Sequence, residues 1–392
     1  MASDFFVLKS LRGGVNNSDP AIAIPDDQCV TGVNVEFNKS MLGERRRGTS
    51  AITLPVSISG KDRVTLAFRH LPTVDETAAQ LWLLGVTGTS TYQLAYKDTT
   101  WHDVTVSDTV SLAGFDQYRW QAISLHGKAF FAFNSDVDRL HVWDGTTFRR
   151  VGLAAPSAAP TGANDGGVGT FSGTRYYRVR IATLSGTTVL LRSEPSDVLT
   201  FAPNGNDTGI TVTKPTLPGE GETHWELEAS VDNANFYRIA RIVVATSTST
   251  DTTDIAAGYA QTYPLSEDIG DYTLLGSARY LTIDADRLVW AGSYEDEQLG
   301  SRVGWTPVRN ADGVGNDERQ ELDTDPTVDL DGFEGGSITG LSSTTAGSFF
   351  AFKINHIYKL VRTGARSAAY DGVTISKDRG ALHGSVISGV DQ

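Results

Sequence analysis

Clustered carboxylates are the residues of this chain that most readily suggest chemistry. Glu295, Asp296 and Glu297 form one group, and four aspartates form a second group shortly after it. Carboxylate oxygens are hard donors that suit Ca²⁺, and two carboxylates that face a sugar across a cleft can hydrolyse a glycosidic bond. The glycine and terminal glutamate of an EF-hand are missing, so the spacing favours a solvated acidic loop over a calcium site. The calcium candidates are Asp323, Asp325, Asp329 and Asp331.

Histidine, cysteine and serine show no catalytic pattern. None of the seven histidines belongs to an HExxH motif or stands at metal spacing from the single cysteine, Cys29. Cys29 has no neighbouring base to activate its thiol, and no GxSxG nucleophile elbow occurs. The sequence therefore predicts that the protein is not an enzyme and has no catalytic residue and no cofactor.

The charge of the chain is strongly acidic and uneven. The formal net charge is −14, and residues 295–334 hold twelve acidic residues against three arginines, a net of −9. Such a balance argues against a surface that grips nucleic-acid phosphates. A solvated face is one interpretation of the acidic stretch, and a surface that must not adhere to DNA is the other. Arg45, Arg46 and Arg47 are too short a basic run for a nucleic-acid patch, and we interpret them as an interface anchor.

Length and composition indicate a globular, β-rich chain. The chain has 392 residues, of which 40% are hydrophobic and 40 are glycine, so two or three domains with real cores are expected. One cysteine cannot form an intramolecular disulfide. No signal-peptide layout and no membrane-length apolar run occurs, which indicates an origin in the cytoplasm and no stable membrane association.

Short strand-like runs recur in two cycles of four. Each run alternates polar and apolar residues, which buries one face of a strand, and turn residues such as His126-Gly127 separate the runs. Repeated sets of four short strands are typical of β-propeller blades; two unrelated meanders of a sandwich are the alternative. The predicted strands are Val64–Arg69, Leu81–Leu84, Thr91–Tyr96 and His102–Val106, then Arg119–Leu125, Lys128–Phe133, Arg139–Trp143 and Thr147–Val151.

A different module is predicted after a Pro-, Ala- and Gly-rich linker at 154–168. TRYYRVRIAT (174–183) and WELEAS (225–230) alternate as strands do, which indicates an inserted β-sandwich. The buried tryptophan and paired cysteines of true immunoglobulin domains are expected to be missing from it, so only the architecture of such domains is expected.

The propeller-like pattern resumes after residue 275. DADRLVWAG (284–292) repeats the pattern of DVDRLHVWDG (136–145), which indicates one body interrupted by the sandwich. The last segment, from Asp371, is expected to hold no closing strand, so the chain is a fragment or its circle is closed by the N-terminal strand or a neighbouring subunit. The predicted domains are an N-terminal arm and first strand at 1–50, blades at 51–153, the sandwich at 154–275, and further blades at 276–392 with an acidic loop region at 295–334.

The N-terminal stretch resembles a known family. Its order of motifs is similar to the N-termini of tail nozzle or tail-tubular proteins of tailed bacteriophages, and YYRVRIATLSG and RSEPS resemble the immunoglobulin-like or fibronectin-III-like inserts of phage tail proteins. The motifs are Gly13-Gly14-Val15-Asn16, Asp19-Pro20, Ile24-Pro25, Val33-Asn34-Val35-Glu36-Phe37 and Arg45-Arg46-Arg47-Gly48-Thr49.

The resemblance implies a structural virion protein made in the host cytoplasm and located in the phage tail. Such a protein forms a ring of identical subunits, usually six, that extends the channel of the portal or head–tail adaptor. Genomic DNA passes non-specifically through the centre, and tail fibres or spikes dock outside. The alternative function is a carbohydrate-binding or depolymerising β-propeller that serves as a receptor-binding tail component.

Overall fold

The computed structural model describes only part of the chain, and the protein is all-β: of the described residues, 49% lie in strands and 5% in helices. The chain divides into two compact units, Met1–Leu54 and Pro55–Gln392. The described residues are 14–15, 28–29, 35–37, 43–45, 53–87, 91–105, 120–132, 139–253, 258–266, 278–292, 300–307, 318, 327–331, 334–343, 348–364, 370–382 and 385–386.

The first unit contains two short strand pairs. β1 (Gly14–Val15) pairs in parallel with β2 (Gln28–Cys29), and β3 (Val35–Phe37) pairs antiparallel with β4 (Gly43–Arg45). The strand expected at 33–37 is therefore confirmed over its last three residues. Only the backbone of Arg45 is described, and Arg46 and Arg47 lie outside the described residues, so their role as an interface anchor stays a prediction.

The second unit begins with a one-turn helix, α1 (Val56–Ser59), and two four-stranded antiparallel meanders that we call blade 1 and blade 2. The predicted cycles of four strands are confirmed in both. Blade 1 consists of β5 (Arg63–His70), β6 (Gln80–Thr87), β7 (Thr91–Lys97) and β8 (Trp101–Val104), and a 3₁₀ turn, Glu76–Ala78, joins β5 to β6. Blade 2 consists of β9 (Gln121–Leu125), β10 (Lys128–Ala132), β11 (His141–Trp143) and β12 (Phe148–Arg150).

A two-sheet β-sandwich follows blade 2. Alternate residues of its strands, among them Val179, Trp225 and Val212, form the core between the sheets. Trp225 is fully buried and donates its indole N–H to the Thr246 carbonyl at 2.8 Å, so the expectation that the module has no buried tryptophan is wrong. One sheet has the order β13 (Thr161–Asn164), β17 (Ile210–Thr213), β20 (Thr248–Asp251). The other has β15 (Thr188–Arg192), β14 (Arg175–Ser185), β18 (His224–Ser230) and β19 (Tyr237–Val243), with β16 (Leu199–Phe201) paired to β14; a 3₁₀ turn, Tyr259–Gln261, follows.

Two more four-stranded meanders, blade 3 and blade 4, complete the described fold. Blade 3 includes a short strand within the acidic stretch, and blade 4 includes a strand from the final segment. The segment after Asp371 is therefore not without a strand, because it forms the fourth strand of blade 4. Blade 3 consists of β21 (Tyr280–Asp284), β22 (Arg287–Ala291), β23 (Arg302–Trp305) and β24 (Thr327–Asp329); blade 4 consists of β25 (Gly340–Ser343), β26 (Ser348–Phe352), β27 (Ile357–Arg362) and β28 (Tyr370–Ser376).

Blades pack face to face in chain order, as in a propeller. Their first strands are successive neighbours, since β5 packs beside β9, β9 beside β21, and β21 beside β25. Opposite faces of β10 serve two interfaces: Ala129 and Phe131 pack toward blade 1, whereas Phe130 and Ala132 pack toward blade 3. This is the period of two that a pleated strand imposes. Blades 2 and 3 are thus direct neighbours, although the sandwich separates them in sequence.

The repeated DxDRL pattern does not mark equivalent strands. In blade 2 its apolar end forms β11, the third strand, whereas in blade 3 it forms β22, the second strand. The equivalent features are the first hairpins of the two blades. Both have two-residue turns with positive φ at both positions, His126 and Gly127 in one and Ala285 and Asp286 in the other, which is the type I′ pattern that matches the strand twist.

Gly304 shows where a blade depends on the absence of a side chain. It lies opposite Trp290 across the β22–β23 pair, and a Cβ on it would overlap the indole ring.

We expect Gly304→Ala to lower the free energy of unfolding by about 1–3 kcal/mol, because a buried aromatic ring has to move. Urea unfolding measures this loss. Gly60→Ala is the control, since that position is open and has negative φ, and equal losses in the two variants would contradict the packing argument.

Candidate functional site

The structure places two of the four calcium candidates, and both have protein partners. Asp329 accepts two hydrogen bonds of 2.8 Å from Arg302, and Asp331 accepts one of 3.1 Å from the Tyr358 hydroxyl. Asp323 and Asp325 lie outside the described residues, so calcium binding by the set of four stays a prediction. Among the residues that the structure describes, no group of three or more His, Cys, Asp or Glu side chains could hold a metal.

A lysine ammonium occupies the cage of oxygens beside Asp331. Lys353 is fully buried, and its Nζ donates to the carbonyls of Leu330 and Glu334, both at 2.7 Å, and to the Ser301 hydroxyl at 3.0 Å. Burial lowers the pKa of Lys353, while Asp331 and Glu334 act in the opposite direction. A cation supplied by blade 4 thereby binds the loops of blade 3.

Blade 2 carries the most distinctive polar site in the described part of the chain, at the consecutive residues Arg149 and Arg150 of β12. Consecutive strand residues point to opposite faces, and each arginine meets a buried glutamate from a distant part of the chain. Arg149 binds Glu318, which precedes β24 of blade 3, and Arg150 lies 3.2 Å from Glu220, which belongs to a loop of the sandwich. We call these the Glu318 cluster and the Glu220 cluster.

The Glu318 cluster satisfies a fully buried carboxylate. Arg149 donates to its two oxygens at 2.7 and 3.0 Å, Lys128 lies at 2.5 Å, and the Gly152 amide donates at 3.1 Å. Burial by itself would raise the pKa of Glu318, but Lys128 and Arg149 outweigh it and lower the pKa to about 2. This member of the acidic stretch is therefore not part of a solvated loop.

The Glu220 cluster joins the sandwich to the same blade. The Glu220 side chain is 1% exposed and lies 2.5 Å from Arg139, and it accepts a 2.6 Å hydrogen bond from the Ala154 amide. Arg139 and Arg150 come from blade 2, and Ala154 lies in the connection to the sandwich. The linker that sequence marks as a boundary is thus fixed in place by a carboxylate from the module that follows it.

A second set of buried charges lies on the face of β14 and β18 that points away from the sandwich core. Glu226 and Glu228 are fully buried there and receive arginines from three strands. Burial would raise the pKa of Glu226, yet Arg192 and Arg241 hold it below its usual value. The arginines are Arg178 and Arg180 on β14, Arg192 on β15, and Arg238 and Arg241 on β19.

The interface of blades 3 and 4 also holds a buried carboxylate that accepts hydrogen bonds from side chains of the neighbouring blade. Asp284, at the end of β21, accepts hydrogen bonds from Arg362 at 2.9 Å and from the Tyr370 hydroxyl at 2.7 Å. Burial, followed by the Asp284 hydrogen bond, raises the pKa of Tyr370. A carboxylate of one blade again binds donors of the next.

These sites suit structural roles better than acid–base catalysis. Every described carboxyl group whose pKa departs from its ordinary value shifts downward, the most buried being Glu318, whereas a glycosidase acid needs a raised pKa. Burial lowers the pKa of His70 to about 4 and, with further contributions, that of His141 to about 3, so both are neutral at pH 7. Sequence reasoning missed Glu220 and Glu318; paired arginines on a short strand were the available signal.

Comparisons with known proteins do not assign the chain to a family. No family model and no curated protein matches it. A solved structure described as a new family of polysaccharide lyase, an ulvan lyase, is 10% identical, with 78% of this chain and 69% of that chain covered, at a TM-score of 0.15. A likeness of that size carries no argument about fold or activity. Among the described residues, no helix is long and apolar enough to cross a membrane.

Removing the charge of Glu318 tests the importance of its cluster. Glu318→Gln leaves Lys128 and Arg149 without their common counter-ion, so we expect a loss of about 3–5 kcal/mol in the free energy of unfolding. Asp329→Asn is the matched control, because the Arg302–Asp329 pair is 35% and 49% exposed and should contribute less than about 1 kcal/mol. Urea unfolding followed by tryptophan fluorescence measures both, and a loss at Glu318 no larger than at Asp329 would refute the assignment.

The pH dependence of the same contribution has a fixed sign. The pKa of Glu318 falls from 4.5 to about 2 on folding, so its stabilising effect is complete above pH 4.5 and is lost as pH falls toward 2. The difference in melting temperature between the wild type and Glu318→Gln should therefore be constant near neutral pH and shrink in that acidic window. Calorimetry across the range measures it, and a difference independent of pH would contradict the cluster.

Proposed function

We propose that this chain is a structural subunit of a homo-oligomeric ring, hexameric by family resemblance, in the tail of a tailed bacteriophage. In this role it extends the channel of the portal or adaptor, lets genomic DNA pass without adhering, and offers an outer surface to fibres or spikes. The resemblance of the N-terminal stretch supplies the family, and the described fold supplies two physical features that support the proposal.

The first supporting feature is the use of charge. Glu220, Glu318 and Asp284 each bind groups from a neighbouring module or blade, so buried ion pairs join the blades and the sandwich to one another. Breaking a buried pair is costly, which gives the body stiffness against relative motion of its parts. A scaffold that transmits load needs that property, whereas a catalyst needs carboxylates that face a substrate.

The second supporting feature, and the one that carries the proposal, is the outer face of blade 4. Val361, Val373 and Ile375 are exposed there by 38%, 48% and 55%. The half-buried Phe350 lies on the same face, because it pairs with Lys359 across β26 and β27, and Lys359 pairs with Val373 across β27 and β28. At the other end of the array, the outer face of blade 1 is covered, because Ile58 of α1 packs against Gly85. A sheet face at one end that exposes several apolar side chains beside Lys359 and Asp371 favours packing against a second copy.

The acidic stretch, residues 295–334, has a different role in this proposal from the DNA-repelling surface considered from the sequence. Glu318 and Asp329 are neutralised by internal partners, so they do not supply a field that repels DNA. In this proposal DNA is repelled by the excess of acidic over basic residues in the whole chain, whose net charge is −14. The alternative, a depolymerising propeller, requires two carboxylates across a cleft, whereas the buried carboxylates described in the blades, Glu318 and Asp284, bind protein donors.

Substitution on the blade 4 face tests the proposal. The double variant Val373→Glu and Ile375→Glu should remove self-association, because it buries two charges at the subunit contact, while the fold remains intact by circular dichroism. Val74→Glu is the control, since Val74 is fully exposed on a loop. Light scattering after gel filtration should give a multiple of 42.1 kDa for the wild type and the control, and the monomer mass for the double variant.

A wild-type protein that stays monomeric at high concentration and does not associate with portal or adaptor rings would overturn the proposal. So would a double variant that assembles as the wild type does, because the face would then not be the subunit contact.

A further inference from the structure

A cavity of about 240 Å³ opens at one end of the sandwich, between the segment before β14, the loop before β17 and the end of β20. Two of its lining residues are buried, Phe171 and Arg175, at 8% and 1% exposure. The remaining side chains are hydroxyl-bearing and exposed. They are Thr170, Ser172, Thr208 and Thr252.

Arg175 differs from the other buried arginines of the sandwich. Arg180 and Arg192 each lie within 3.1 Å of a buried glutamate, whereas Arg175 has no carboxylate partner among the described residues. The nearby carboxylate of Asp251 accepts hydrogen bonds from the hydroxyls of Tyr177 and Tyr259. A buried cation without a counter-ion is unfavourable unless something compensates it.

The hydrogen bonds of Arg175 leave part of its guanidinium unused. Nη1 donates to the carbonyls of Ser172 and Gly173 at 3.0 and 2.9 Å, and Nη2 donates to the Thr253 carbonyl at 3.3 Å. A guanidinium has five N–H groups, so the Nε–H and one Nη2–H remain. Nε is buried and has no acceptor within the described part of the chain. Nε and Nη2 form the edge of a guanidinium that binds a carboxylate side-on.

We propose that this cavity binds a carboxylate group on a small hydroxylated carrier, such as a single uronic-acid unit. Arg175 supplies the charge and the two free N–H groups, and the Phe171 ring, 4.6 Å from its guanidinium carbon, fixes its plane. The hydroxyls of Thr170, Ser172 and Thr252 make no hydrogen bond within the described residues, so they are free to bind the hydroxyl groups of the ligand. The volume is below that of drug-sized pockets and suits one sugar unit.

Other ligand classes fit the cavity less well. A metal cation would be repelled by Arg175, and a nucleic acid needs several phosphate contacts to bind, whereas the lining holds a single cationic side chain. An apolar ligand would leave both the guanidinium and the hydroxyls unsatisfied. The inference is independent of ring assembly, because none of these residues lies on blade 4.

Calorimetric titration of the full chain tests the site, with glucuronate, glucose and inorganic sulfate as probes at low ionic strength. Glucuronate should bind at least tenfold more tightly than either of the others, because glucose lacks the charge and sulfate lacks the hydroxyls. Equal affinity for sulfate and glucuronate, or no binding of glucuronate, would overturn the proposal.

Variants at the exposed rim separate binding from folding. Thr252→Glu places a negative charge at the mouth and should weaken glucuronate binding at least tenfold, whereas Val74→Glu, which adds the same charge at a fully exposed loop position of blade 1, should remain within about threefold of the wild type. Arg175→Lys keeps the charge but not the side-on geometry and should also weaken binding if it folds.

Discussion

The charge pairing at β12 is the interaction on which the arrangement of the described body depends. Arg149 and Arg150 are neighbours in sequence, and the pleat of the strand directs them to opposite sides. One binds Glu318 from the region before β24, and the other binds Glu220 from the sandwich. Blade 2 therefore holds both the module that interrupts the propeller-like body and the blade that resumes it.

Hydrophobic packing also holds blade 2 between its two neighbouring blades. Phe130 and Ala132 face blade 3 because Ala129 and Phe131 face blade 1, so one alternating strand joins two interfaces. Hydrophobic burial brings the blades together without direction, and the buried glutamates add specific partners. Removing one partner leaves a buried charge alone, which is why such pairs contribute to the choice of one arrangement as well as to its stability.

Sequence alternation predicted the strands because the rule behind it is local. The four predicted runs in each of the first two cycles form four strands. The conformation of the His126-Gly127 turn and the need for glycine at position 304 likewise depend on a few neighbouring residues. The glutamate clusters could not be predicted in the same way, since Glu318 and Arg149 are 169 residues apart and nothing near Glu318 in sequence distinguishes it from the other acidic residues of the stretch. The strand at 370–376 was missed although Val373 and Ile375 alternate, and Arg175 looks in sequence like any other strand arginine.

Hydrogen exchange measured through a urea series tests the central claim, that ion pairs unite the sandwich and the blades in one stiff body. Peptides from β18 of the sandwich and from β10 and β22 of the blades should lose protection at the same urea concentration, because the modules unfold together. Loss of protection in β18 at a clearly different concentration from β10 and β22 would show that the sandwich unfolds independently, and would contradict this claim.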